Sequence, residues 1–154
     1  MNKYRSRHKV PHLTLNRDLC ITAREYAGIL AFYSRIELSN SRGNYGEYMC
    51  YKEDASPVTC VDDWYEGIKY YNFTDPKIYD ENEAFTQIVW KSTTDLGVGN
   101  SRNSLGGNFL VIRYLPPGNI DGLYKENVLA LSGSFTFKGS VYLLIFLLST
   151  YSYI

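Results

Sequence analysis

The segment Asn108-Phe-Leu-Val-Ile-Arg-Tyr-Leu115 restricts the fold more than any other part of the chain: β-branched, aromatic and aliphatic residues dominate it, and Pro116-Pro117-Gly118 stops it. Such a run fits a strand, and the proline and glycine at its end prevent it from continuing. A sheet must therefore be built late in the chain. Leu96 to Gly99 gives a shorter strand signal closed by glycine, and Tyr45 to Tyr51 gives another. Helical periodicity dominates elsewhere. Behind the cap residue Asn16, Leu19, Ala23, Tyr26, Ala27, Leu30 and Ser34 recur at spacings of three and four, which predicts a helix over 17–36. Pro57, Val61, Trp64, Ile68 and Tyr71 keep that spacing and predict a helix over 57–71, with Pro57 at its first position and Asp62 and Asp63 near its positive end. A third helix is predicted over 83–91, where Phe85, Ile88 and Val89 share a face. Helices early and strands late, with hairpin-sized gaps, predict an α+β fold in which helices cover an antiparallel sheet.

A chain of 154 residues with 45% apolar content can bury a core without staples, which excludes a disulfide-built mini-protein. Sixteen Lys and Arg balance sixteen Asp and Glu, so the broad positive field of a general nucleic-acid binder is missing and no nucleic-acid partner is expected. The balance is uneven along the chain. Lys3, Arg5, Arg7 and Lys9 precede the first acid, Asp18, whereas nine acids face three lysines between Lys52 and Glu83, a stripe that reads as solvated surface.

The three cysteines, Cys20, Cys50 and Cys60, match no zinc spacing, and so sparse an odd set reads as reduced and cytosolic. Cys50 and Cys60 are nevertheless near enough in sequence to close a short loop, if the geometry allows. No apolar run of about 7–15 residues follows the basic N-terminus, so no secretory signal is visible. Asn72-Phe73-Thr74, an acceptor sequon for N-glycosylation, points the other way. The only two histidines, His8 and His12, read as packing or surface residues, and neither belongs to a recognisable triad.

Residues 83–93, Glu-Ala-Phe-Thr-Gln-Ile-Val-Trp-Lys-Ser-Thr, with Leu96-Gly97-Val98-Gly99 behind them, resemble the signature of the CAP superfamily. That superfamily contains the cysteine-rich secretory proteins, insect venom antigen 5 and the plant pathogenesis-related proteins of class 1. Phe109-Leu-Val-Ile-Arg-Tyr-Leu-Pro-Pro-Gly-Asn-Ile120 resembles its second signature, with Ile112 where secreted members usually carry cysteine. The likeness runs from about Asn2 to Leu129 and is strongest to the cysteine-poor, Golgi-associated branch. It implies a three-layer α-β-α sandwich with a central antiparallel sheet, formed by residues 1–131 and lacking the start of the first helix. Residues 132–154 then form a tail. Its charge-free run Val141 to Leu148 is short of the roughly 20 residues that span a bilayer. Membrane contact, a terminal core strand and an end without function all fit the run; peripheral membrane contact is preferred because the resemblance describes a domain already complete near Leu129.

The family likeness also implies a cleft lined by a tetrad of two histidines and two glutamates that holds a zinc-like cation, which needs three or four converging ligands. Glu47 matches one glutamate. Ala84 stands where a histidine is expected, Ser39 is assigned to the other histidine position, and Gly67 occupies that of the second glutamate. Glu66 is one residue away, rotated by about 100° on a helix. One ligand is too few, so no metal and no cofactor are expected. The resemblance thus implies a non-enzymatic protein that binds lipid, a membrane surface or a protein partner, a homodimer included, in an extracellular or Golgi and membrane-associated setting. The alternatives are a hydrolase or protease-like enzyme recruiting Glu47, Glu66 and a third group, and a degenerate paralogue without activity.

Overall fold

The computed structural model describes residues 1–40, 44–53 and 56–133; the apolar run of the tail lies outside them. Strand β4 (Asn108–Leu115) has the predicted bounds and is central, pairing antiparallel with β3 (Asp95–Arg102) and β2 (Gly46–Lys52). A two-residue strand, β1 (Thr14–Leu15), joins β3 in parallel, so the sheet order is β1-β3-β4-β2 and the sheet is mixed, not purely antiparallel. Two residues are too few to leave a period-2 pattern, which is why β1 was not expected.

The two faces of β4 are both buried. Phe109 and Val111 lie against Ala23, Ala27, Leu30 and Ala31 of helix α2 (Arg17–Tyr33). Leu110, Ile112 and Tyr114 join the second cluster, with Tyr65, Phe85, Ile88 and Trp90 from the opposite layer. This produces the three-layer sandwich and explains the nearly continuous apolar sequence of the strand. The α2 layer sits very close to the sheet: a Cβ placed on Gly99 would lie 2.2 Å from the Ala23 carbonyl carbon.

Asn16 caps α2 as expected, its side chain accepting from the Asp18 and Leu19 amides at 3.1 and 3.2 Å. The helix stops at Tyr33 rather than Ile36, because Ser34 adopts a left-handed conformation (φ 49°, ψ 41°) and the Arg35 amide turns back to Leu30 O. The predicted helix over 57–71 is two pieces, α3 (Thr59–Tyr65) and a 3₁₀ helix (Glu66–Tyr70). Pro57 sits in a turn before α3, its carbonyl accepting from the Cys60 amide. Helix α4 (Asp80–Ile88) begins earlier and ends sooner than predicted. Its start is fixed by buried Asn82, which accepts from the Tyr79 amide and donates to Tyr70 O and Lys77 O.

Two short helices, α1 (Asn2–Arg7) and α5 (Tyr124–Asn127), were not expected. Arg5 ties α1 down. It is fully buried and donates to the carbonyls of Pro11, Ile88, Trp90 and Thr93 at 2.6, 3.0, 2.8 and 2.9 Å. Burial pulls its pKa down to about 10, which leaves it a cation at neutral pH.

Cys50 and Cys60 form a disulfide across a Cα–Cα distance of 6.2 Å, linking β2 to α3, while Cys20 is free. This corrects the reading of Cys50 and Cys60 as reduced thiols. His8 is a buried packing residue bonded to Leu129 O and Tyr65 OH, and burial lowers its pKa. His12 bonds to Ser6 Oγ at the surface.

Candidate functional site

A groove of about 320 Å³ opens between β2, α4 and the loop after β4, lined among others by Tyr45, Glu47, Tyr48, Glu83, Gln87 and Asn119. Polar side chains staple the loop to α4. Gln87 accepts from the Gly118 amide at 2.9 Å, and Asn119 accepts from Thr86 Oγ1 at 2.7 Å while donating to Glu83 O and Tyr48 OH at 2.9 Å each. Asn119 has a φ of 56°, a left-handed conformation that asparagine tolerates better than most residues. Close approach requires Gly118: a Cβ there would lie 2.6 Å from Gln87 Nε2. Burial raises the Tyr48 pKa above the ordinary phenol value, so this side of the groove presents a neutral hydroxyl.

The Glu47 carboxylate is already committed. Glu47 and Arg113 are direct cross-strand partners on β2 and β4, and their side chains are 2% and 5% exposed. Oε2 accepts from Arg113 Nε and Nη2 at 2.9 Å each, and Oε1 accepts from the Ser39 amide at 2.9 Å. The guanidinium also lies over the rings of Tyr45 and Tyr26, 4.3 and 5.7 Å from their centroids. Sequence reasoning missed Arg113 as the partner of Glu47. The available signal was that Arg113 is the one charge inside the Asn108–Leu115 run, where a buried charge demands a counter-charge.

Of the positions assigned to the tetrad, Ser39 and Glu47 are joined through the Ser39 amide. The Ser39 hydroxyl is buried without a hydrogen-bond partner among the described residues. Gly67 presses on the start of α4, where a Cβ would lie 2.4 Å from Glu81 O. Ala84 is half-buried on α4, the helix that contributes Glu83 and Gln87 to the groove. Neither Gly67 nor Ala84 is among the lining residues, and Glu66 forms an exposed ion pair with Lys69.

Residues 1–114 match the CAP family, described as the cysteine-rich secretory protein family. The chain belongs to that family. It is 39% identical over 133 residues to the human Golgi-associated plant pathogenesis-related protein 1, covering 83% of this chain and 86% of that protein. Pathogenesis-related protein 1 of Arabidopsis thaliana is 33% identical over 119 residues, covering 77% and 73%. Two fungal relatives are longer, and the chain spans only 45% and 39% of them. The solved structure of Schistosoma mansoni venom allergen-like protein 4 superposes with a TM-score of 0.63 at 17% identity, covering 77% of this chain and 84% of that one, a likeness of fold alone.

A cation at the CAP tetrad does not fit these residues. Ala84 and Gly67 carry no donor atoms, Ser39 offers one hydroxyl, and both carboxylate oxygens of Glu47 are taken. Among the described residues no three His, Cys, Asp or Glu side chains converge.

Proposed function

We propose that this CAP domain is non-enzymatic and acts by binding, with the groove and exposed apolar side chains elsewhere on the surface receiving lipid, a membrane surface or a protein partner. The observation that carries this is the commitment of Glu47: the one carboxylate retained from the tetrad serves as counter-ion to Arg113, where a metal or a reacting group would need it free. The hydrolase reading requires Glu47 and Glu66 to converge with a third group, and Glu66 instead faces Lys69 at the surface. The groove combines the aromatic bodies of Tyr45 and Tyr48 with the polar ends of Gln87 and Asn119 and the carboxylate of Glu83, a lining suited to a ligand with an apolar body and a polar or cationic head. Phe32, Tyr33 and Leu105 add exposed apolar area, at 82%, 67% and 84% exposure. The Golgi-associated name of the human relative supports a membrane-proximal setting.

Vesicle flotation of the full chain, compared with Tyr45→Ala and Phe32→Ser variants, tests the membrane arm, and capture of a defined partner at the same residues tests the protein arm. The expected result is binding weakened by either substitution, with calorimetry showing no stoichiometric zinc site. Hydrolytic turnover by the wild-type chain that Glu47→Gln abolishes while the fold persists would overturn the proposal.

A further inference from the structure

We propose that Asn72 is an N-glycosylation site and that the protein passes through an oxidising compartment where a lipid-linked oligosaccharide pyrophosphate is the donor. Asn72-Phe73-Thr74 is the one Asn-X-Ser/Thr triplet in the sequence. It lies between the 3₁₀ helix and α4, with Asn72 and Thr74 both exposed. The local geometry presents the correct atom. Asn72 Oδ1 accepts from the Thr74 amide at 2.9 Å, from Thr74 Oγ1 at 2.8 Å and from the Asp75 amide at 3.3 Å, whereas Nδ2 has no hydrogen-bond partner among the described residues. Three donors on the amide oxygen favour the imidate-like electron distribution, in which Nδ2 gives up a proton more readily.

The transfer balances without redox chemistry. Nδ2 attacks the anomeric carbon of the donor sugar, the bond from that carbon to the pyrophosphate oxygen breaks, and the lipid pyrophosphate leaves with the electron pair. Nδ2 loses one proton to the transferase.

The surroundings also fit a sugar. Tyr70, two residues before Asn72, is 62% exposed, and a shallow depression of about 440 Å³ is lined by Tyr70, Asn72, Phe73 and Thr74 among others. The aromatic rings offer apolar faces to the C–H face of a first sugar. The Cys50–Cys60 disulfide is an independent observation for the compartment, because such bonds persist where the environment is oxidising and are rare in the cytosol.

The test is expression of the full chain in animal cells, once as it stands and once behind a cleavable secretory leader. Mobility is read on denaturing gels before and after peptide N-glycosidase. Both forms should show one discrete upward shift that the glycosidase removes, that Asn72→Gln and Thr74→Ala each abolish and that Thr74→Ser retains; Tyr70→Ala should lower the fraction shifted. Because the gel reads the covalent adduct, a variant that folds poorly still reports. No shift behind the leader, or a shift that survives Asn72→Gln, overturns the site. A shift only behind the leader overturns the routing.

Discussion

Replacing Glu47 by alanine should cost far more stability than replacing a surface carboxylate, because it strands Arg113. Both side chains lie at or below 5% exposure, so the guanidinium left behind has little access to water. Removing one partner of a buried pair typically costs about 3–5 kcal/mol, and the orphaned Ser39 amide adds about 1–3 kcal/mol if water does not reach it. The Tyr45 and Tyr26 rings do not compensate, since their contacts with the cation are already present in the wild type. A loss of about 4 kcal/mol is the expected outcome, a large share of the roughly 5–15 kcal/mol that holds an ordinary domain together. Equilibrium urea unfolding followed by tryptophan fluorescence measures it, with Trp90 1% exposed as the core reporter. At an m-value of about 2 kcal/mol/M the midpoint should fall by about 2 M. The double variant Glu47→Met with Arg113→Met removes both charges and leaves only the Ser39 amide unpaired, so it should lie within about 1–3 kcal/mol of wild type; with each single variant costing about 4 kcal/mol, the coupling is about 5–7 kcal/mol. A single-variant cost below about 1 kcal/mol, or a double variant as unstable as the sum of the singles, would refute the assignment of Glu47 as a structural counter-ion and reopen its use as a ligand.

Arg5→Met should cost about 4 kcal/mol or more in the same assay, because it removes charge-assisted bonds to the carbonyls of Pro11, Ile88, Trp90 and Thr93. Arg5→Lys should recover little, since an ammonium cannot reproduce the planar fork. His8 has a folded pKa below its unfolded value of about 6.5, so its contribution is complete above that pH and is lost as the pH falls through the lowered folded pKa. Urea midpoints should therefore drop as the pH falls below about 6.5, and His8→Phe should flatten the dependence. Gly99→Ala should destabilise by about 1–3 kcal/mol or more, visible as a lower thermal midpoint, because the new methyl meets the Ala23 backbone and forces α2 away from β3.

Local chemistry was enough to place β4 and the start of α2. β-rich composition closed by Pro116-Pro117-Gly118 marks one, and Asn16 followed by a spacing of three and four marks the other. The helix ends were less legible, because they depend on contacts with distant elements. Ser34 turns left-handed where the chain leaves α2, with its hydroxyl accepting from Asn103, and Gly67 lets the 3₁₀ segment press on α4, so one predicted helix became two pieces. The CAP signatures pointed to the family, and the likeness implied which tetrad donors are missing. They did not show what Glu47 does, since its partner Arg113 lies 66 residues away and only strand register brings the two together. The Cys50–Cys60 bond likewise depended on β2 and α3 meeting at the right Cα separation, and the burial of Arg5 on carbonyls more than eighty residues away. Residue type and short-range spacing govern where a segment can be helix or strand, whereas a charge, a thiol or a histidine takes its role from whatever the finished fold places within a few ångströms of it.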